Sequence, residues 1–193
     1  MKYINFLLIF NNLLGIHNGV AQNQNSEKAA FMQSRIDSVA VGKPIPDFTM
    51  LNENLEEIKF SSFLGKTVVI DVWANWCKPC IQLSPWFEKE SEKFKEENVV
   101  FMSISVDEQQ GRWVNYIQSH EASYNRYWIE DDKGNPIKWL TFEEFELSPG
   151  RIVWGESIPK FIIVNEEGVV EALKFGQPGM PPFRKAVKKA LKD

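Results

Sequence analysis

Two nearly continuous apolar runs anchor the pattern of the chain: Thr67–Trp73, β-branched for the most part and, after its first residue, broken only by Asp71, and Val99–Val106. Runs of this length without alternation predict strands buried on both faces. Between them, Lys78 to about Glu97 repeats with helical period. Leu83, Phe87, Glu90 and Phe94 fall on one stripe, while Glu88, Lys89, Glu92, Lys93 and Lys95 fall on the solvated side. Pro85 lies inside this helix and predicts a kink. Gln110–His120 reads as a second helix with Trp113, Tyr116 and Ile117 inward. Upstream, Asp47–Leu51 and Leu55–Phe60 predict two short strands around a turn at Asn52–Asn54. Ser61–Leu64 follows as one helical turn, ended by Gly65. Downstream, Lys160–Val164 and Val169–Phe175 predict a hairpin closed by Asn165-Glu166-Glu167-Gly168. A last helix carries Phe183, Ala186, Val187, Ala190 and Leu191 at i, i+3, i+4, i+7 and i+8. This order predicts an α/β fold with a central mixed sheet flanked by helices.

Residues 121–157 do not resolve into one period. They hold Tyr124, Tyr127, Trp128, Trp139, Phe142, Phe145 and Trp154, with turn signals at Asp132–Asn135 and Ser148–Gly150. Two readings stand: an added helix or hairpin beside the functional site, or extra core.

The first 21 residues carry a different pattern: Lys2, two apolar stretches (Phe6–Phe10 and Leu13–Ile16) and Gly19-Val20-Ala21. That is the plan of a secretory signal, with an uncleaved anchor as the alternative. The apolar stretch is short for a membrane span, and no cysteine stands at the cleavage position to carry a lipid. Residues 22–40 are polar and small and read as a linker, with a short helix near Phe31–Val39. The folded domain is expected over 41–193.

Composition narrows the function. The chain has 193 residues, 44% of them hydrophobic, with net charge −4 and pI about 5.4. A sizeable core is affordable, and nothing suggests nucleic-acid binding. The only two cysteines are Cys77 and Cys80, placed just after the first buried strand. Residues three apart at a helix start share a face, where free N–H groups and the helix dipole favour a thiolate. A disulfide across so small a loop removes little chain entropy, so its value as a staple is small. No metal ligand set is apparent: two cysteines cannot fill a tetrahedral site, and the only histidines are His17 and His120. No cofactor is called for.

The segment Val69-Ile70-Asp71-Val72-Trp73-Ala74-Asn75-Trp76-Cys77-Lys78-Pro79-Cys80 resembles the active site of thioredoxin. Pro85, Ile158-Pro159 ahead of a strand, and Gly176 after the last strand match the same fold. The signal, Val41-Gly42-Lys43-Pro44-Ile45-Pro46-Asp47-Phe48 and the insert before Pro159 resemble the exported TlpA/ResA type of thiol-disulfide oxidoreductase. The resemblance covers roughly residues 41–192 and implies a thioredoxin-like fold with that insert before the cis-proline strand.

It implies roles as well. Cys77 is the attacking thiolate, nearer solvent, and Cys80 the resolving thiol. Asp71, a carboxyl in an apolar strand, has a pKa raised by burial and moves the proton of Cys80; otherwise it is a hydrogen-bonded structural residue. Thioredoxin pairs that acid with a lysine on the neighbouring strand. Here the position is Ser103, so Glu143, Glu144 or Glu146 of the insert is an alternative partner. Trp76, Ile158, Pro159 and Gly176 frame the groove for a partner's cysteine-bearing segment, with Pro159 cis. Lys78 and Pro79 tune the pair, Lys78 being equally readable as a solvated lysine.

The implied partners are protein thiols and disulfides and a membrane electron donor, with apocytochromes among the acceptors. The implied place is the periplasm, without stable membrane insertion once the signal is removed. Two other readings compete. A thiol peroxidase shares the fold, but its lone cysteine follows a Thr at short spacing, where this chain has Asn75-Trp76. A metal-binding or partner-binding protein without enzymatic activity is the second.

Overall fold

The computed structural model describes residues 34–35, 39–130, 134–173 and 176–192. The signal, most of the linker, Asp132-Lys133 of a turn and the end of the last strand lie outside them, and of the short helix expected near Phe31–Val39 only Ser34, Arg35 and Val39 are described. Two compact units divide at Ser38 and Val39. Of the first, only the helical pair Ser34–Arg35 is described.

Among the described residues of the second unit, nine strands and four helices follow one another. The strands are β1 (Thr49–Leu51), β2 (Glu57–Lys59), β3 (Thr67–Trp73), β4 (Val99–Ser105), β5 (Asn125–Trp128), β6 (Phe142–Ser148), β7 (Arg151–Glu156), β8 (Lys160–Val164) and β9 (Val170–Ala172). The helices are α1 (Lys78–Lys93), α2 (Gln110–Ser119), α3 (Pro136–Thr141) and α4 (Pro181–Ala190), with a 3-10 turn at Phe60–Phe63. Seven strands form one sheet in the order β2-β1-β5-β4-β3-β8-β9. β3, β4 and β5 run parallel; β8 is antiparallel to β3. This is the expected thioredoxin-like mixed sheet.

All seven residues of β3 and all five of β8 are buried, as their mostly apolar sequences lead one to expect, and the burial takes in the polar Thr67, Asp71 and Lys160 as well. On one face Val69, Phe101, Phe161 and Ile163 meet Phe87 of α1 and Phe183, Val187 and Ala190 of α4. Phe87 sits at the centre, with rings of Phe101, Tyr124, Phe161 and Phe183 around it. The stripe expected on α1 is therefore its core face. Its charged member, Glu90, is fully buried and is bonded by Arg184 at 2.7–3.0 Å and by Lys93 at 2.8 Å.

Several boundaries differ from expectation. α1 ends at Lys93 rather than near Glu97, because Phe94 turns into the core while Lys95–Asn98 stay exposed. β1 and β2 are three residues each. Glu88 is not solvated but half-buried, and its carboxylate accepts from the Ser123 N–H at 2.9 Å. Tyr116 is only half-buried, unlike Trp113 and Ile117. β5 was not anticipated: a four-residue strand with Asn and Arg in its first half gives no period-2 signal, yet it pairs with both β4 and β1.

The insert contains both structures weighed for it. α3 is buried along its whole length and adds core. β6 and β7 form a separate two-stranded hairpin, with Phe145 and Leu147 exposed.

Candidate active site

β3 points its carboxyl end at the start of α1, and the four residues between them make the turn that delivers the cysteines. Cys77 caps α1, its sulfur lying 3.3 Å from the Cys80 N–H. Pro79 occupies the first turn, where a missing N–H costs no helical bond. Cys77 and Cys80 are joined in a disulfide with Cα atoms 5.3 Å apart. Lys78 and Pro79 are exposed beside them.

The two sulfurs have different surroundings. Cys77 Sγ lies 3.8 Å from the Ile158 carbonyl oxygen, and the Ile158–Pro159 bond is cis, as expected. Pro159 and Gly176 line one groove, together with Ser157, Lys160 and Glu143. Gly176 has φ +101°, and a Cβ there would lie 3.2 Å from Pro182, so only glycine suits this corner. Trp76, directly before Cys77, stands 57% exposed. Both cysteines are buried, Cys77 at 4% exposed and Cys80 at 1%, so Cys77 is the nearer to solvent by a small margin. What separates them further is a cavity, which Cys80 lines and Cys77 does not.

That cavity, of about 230 Å³, is lined by Cys80, Asp71, Trp73, Ser84, Glu88, Ser103, Tyr116, His120, Glu121, Tyr124 and Arg126. Asp71 is 3% exposed, and burial pushes its carboxyl up to about 8. Ser103 stands directly across from Asp71 in the β3–β4 register, so the position read from sequence is the structural one. Asp71 Oδ1, Ser103 Oγ and Trp73 Nε1 are buried without a protein partner, and all three residues line this one cavity. Such a space is polar and roomy enough for ordered water. Burial also raises both tyrosines, Tyr124 to about 12, so their hydroxyls stay neutral. The acids that share the cavity with Asp71 are Glu88 and Glu121. Glu143, Glu144 and Glu146 of the insert do not line it, which corrects the alternative partner. Glu143 instead pairs with the buried Lys160 in the groove.

His120 lines the same cavity as Cys80. Its Nδ1 bonds the Tyr116 carbonyl and the Ser119 hydroxyl, and its ring stacks on Tyr116 at 4.1 Å. Among the described residues no group of three His, Cys, Asp or Glu side chains is placed to hold a metal ion.

One supporting residue escaped sequence reasoning. Asp107 is fully buried just past β4, and its carboxylate accepts from the Asn75 N–H at 3.0 and 3.2 Å and from the Ser105 hydroxyl at 2.8 Å. It therefore fixes the turn that presents Trp76 and Cys77. The only signal in the sequence was an acid at the end of an apolar strand.

Comparison with known proteins agrees with this geometry. The AhpC/TSA family pattern matches residues 41–173. The chain belongs to that family. Thiol-disulfide oxidoreductase ResA of Bacillus cereus is 27% identical over 104 residues, which is 54% of this chain and 58% of that protein. ResA of Bacillus subtilis is 23% identical over 134 residues, 69% of this chain and 66% of that protein. The chain thus spans between about half and two thirds of the curated relatives it matches. A solved structure of a candidate thiol-disulfide oxidoreductase from Bacteroides vulgatus superposes with TM-score 0.67 at 26% identity, covering 80% of this chain and 99% of that one.

Proposed function

We propose that this family member is a thiol-disulfide oxidoreductase that exchanges disulfides with other proteins through Cys77 and Cys80. The single observation that carries this is the disulfide's position, with Cys77 Sγ against the carbonyl just ahead of the cis-proline and Cys80 against the Asp71 cavity. In the reducing direction Cys77 thiolate attacks a substrate disulfide. One substrate sulfur leaves as a thiolate and a mixed disulfide forms. Cys80 then gives up its proton and attacks Cys77 Sγ. The second substrate sulfur leaves, two electrons have moved to the substrate, and the Cys77–Cys80 bond is restored.

Asp71 serves the proton step. Held neutral near pH 7, it carries the proton that the Cys80 sulfur needs when an incoming dithiol opens the bond, and takes it back in the resolving step. Trp76, Ile158, Pro159 and Gly176 form the docking groove, and Lys78 and Pro79 shape the helix start. The cycle needs a dithiol donor, which the family resemblance supplies from the membrane. The N-terminal 21 residues support export, with periplasmic reduction or cytochrome c maturation as the process. No described helix is long and apolar enough to cross a membrane. Peroxide chemistry is disfavoured, since Asn75-Trp76 stands where a peroxidase carries Thr.

Trapping tests the mechanism. A Cys80→Ser variant lacks the resolving sulfur and should accumulate covalent protein adducts on Cys77 that dithiothreitol releases. Absence of such adducts, together with no electron exchange between the wild-type disulfide and dithiothreitol, would overturn the proposal.

A further inference from the structure

The hairpin of the insert runs straight into the groove. β7 ends at Glu156, and two residues later come Ile158 and the cis-proline. Its pairing with β6 fixes which way its backbone faces. The Ser157 N–H donates to the Thr141 carbonyl at 2.9 Å, so this pair is hydrogen-bonded. In an antiparallel ladder such pairs alternate with pairs that turn their N–H and C=O outward. With Phe142 opposite Glu156 and Glu144 opposite Trp154, the residues that face outward are Trp154 and Glu156. Ile158, next in the alternation, turns its carbonyl to Cys77 Sγ at 3.8 Å. The outward edge of β7 and the reactive sulfur therefore lie on the same side. β7 has no second strand neighbour, since its sheet has the order β6-β7.

The hairpin is also fastened to the domain. Lys160, buried next to the cis-proline, pairs with Glu143 at the base of β6, and Lys138 of α3 pairs with Glu156 at the base of β7 at 2.8 Å. Glu143 and Phe145 share one face, because side chains two apart on a strand do. A Cβ added at Gly155 would lie 3.4 Å from the Phe145 ring, so the ring leans over that glycine toward the base. Phe145 is 38% exposed on this face, and Leu147, in the bulge beyond it, is 60% exposed.

We propose that β7 is a docking edge: an extended stretch of a disulfide-bearing substrate protein, held by its cysteine at Cys77, continues along β7 as a third strand. This rests on the exchange function above and names the form of its substrate. The occupant is unfolded polypeptide rather than a small disulfide, because Trp154, Glu156 and Ile158 offer backbone groups at alternate residues. From Trp154 to Ile158 the edge spans roughly 13 Å at about 3.3 Å per residue, so about four substrate residues on one side of the cysteine are gripped. Their apolar side chains on the Phe145 face would cover that ring.

The test uses the full chain and synthetic peptides with one internal disulfide, extended by one to six residues on either side. The expected result is a rise in kcat/KM with extension on one side only, levelling after about four residues. N-methylation of alternate backbone amides in that arm should lower kcat/KM about three- to tenfold per donor lost, and methylation of the intervening amides should not. Equal rates for all lengths, or methylation effects without alternation, would overturn the docking edge. Failure of the exchange function itself reads differently: the wild-type disulfide would then not react with dithiothreitol either.

Discussion

Replacing Asp71 by Asn turns the buried carboxyl into a neutral group of the same shape, and the consequence for stability follows from one titration. Folded, the carboxyl titrates at about 8 because burial penalises its charge; its ordinary value is 3.8. The folded chain thus holds this proton more tightly than the unfolded chain does. Its stabilising effect is complete below the ordinary value and is lost as pH rises through the folded one. Each pH unit across that window costs about 1.4 kcal/mol, so the full span costs about 6 kcal/mol and roughly 4 kcal/mol is already lost at pH 7. Asn has no such loss. The oxidised Asp71→Asn variant should match the wild type near pH 4 and exceed it by about 4 kcal/mol at pH 7, with the gap flattening above pH 8. Urea unfolding of both proteins from pH 4 to 9 measures it. The same variant should resolve mixed disulfides roughly 100-fold more slowly at pH 7, the usual scale for losing a positioned proton carrier. A stability difference that stays constant from pH 4 to 9 would refute the argument, because Asp71 would then ionise at an ordinary value despite its burial.

Two other substitutions probe the supports of the site. Desolvation pushes the fully buried Glu90 upward, but the bonds from Arg184 and Lys93 outweigh it and hold the carboxyl below the ordinary range. Arg184→Gln should therefore lower the urea midpoint at pH 7, with the deficit shrinking as pH falls and Glu90 protonates; a deficit independent of pH would count against the pairing. Asp107→Ala leaves the Asn75 N–H and the Ser105 hydroxyl without their acceptor. It should cost about 1–3 kcal/mol in unfolding free energy and shift the reduction potential of Cys77–Cys80, read by equilibration with a glutathione buffer. An unchanged potential would limit Asp107 to a structural part.

The redox pair, its strand and its helix were legible because each rests on local information. Thr67–Trp73 is nearly continuous in apolar residues, and Cys77 and Cys80 are the only cysteines and stand three apart. Ser103 opposite Asp71 was legible through the resemblance to thioredoxin, which places a lysine at that position. The length of α1 was less so, since Phe94 leaves the helix to fill the core and nothing nearby in sequence signals that.

The insert was illegible for a related reason. Its aromatic residues serve two purposes, α3 burying Trp139 in the core while β6 leaves Phe145 exposed, and a single window averages the two. β5 has too few residues to show a period and is held in place by β4 and β1 on either side. The cavity depends on tertiary structure entirely. Asp71, Ser84, Ser103, Tyr116 and Tyr124 come from two helices, two parallel strands and the lead into a third, and each is an ordinary residue where it stands in the chain. Local sequence determined which atoms can exchange electrons, because sulfur chemistry and helix geometry act over three residues. Only the folded chain decided which acid shares space with which sulfur, because burial and the distances it sets are properties of the whole packed sheet.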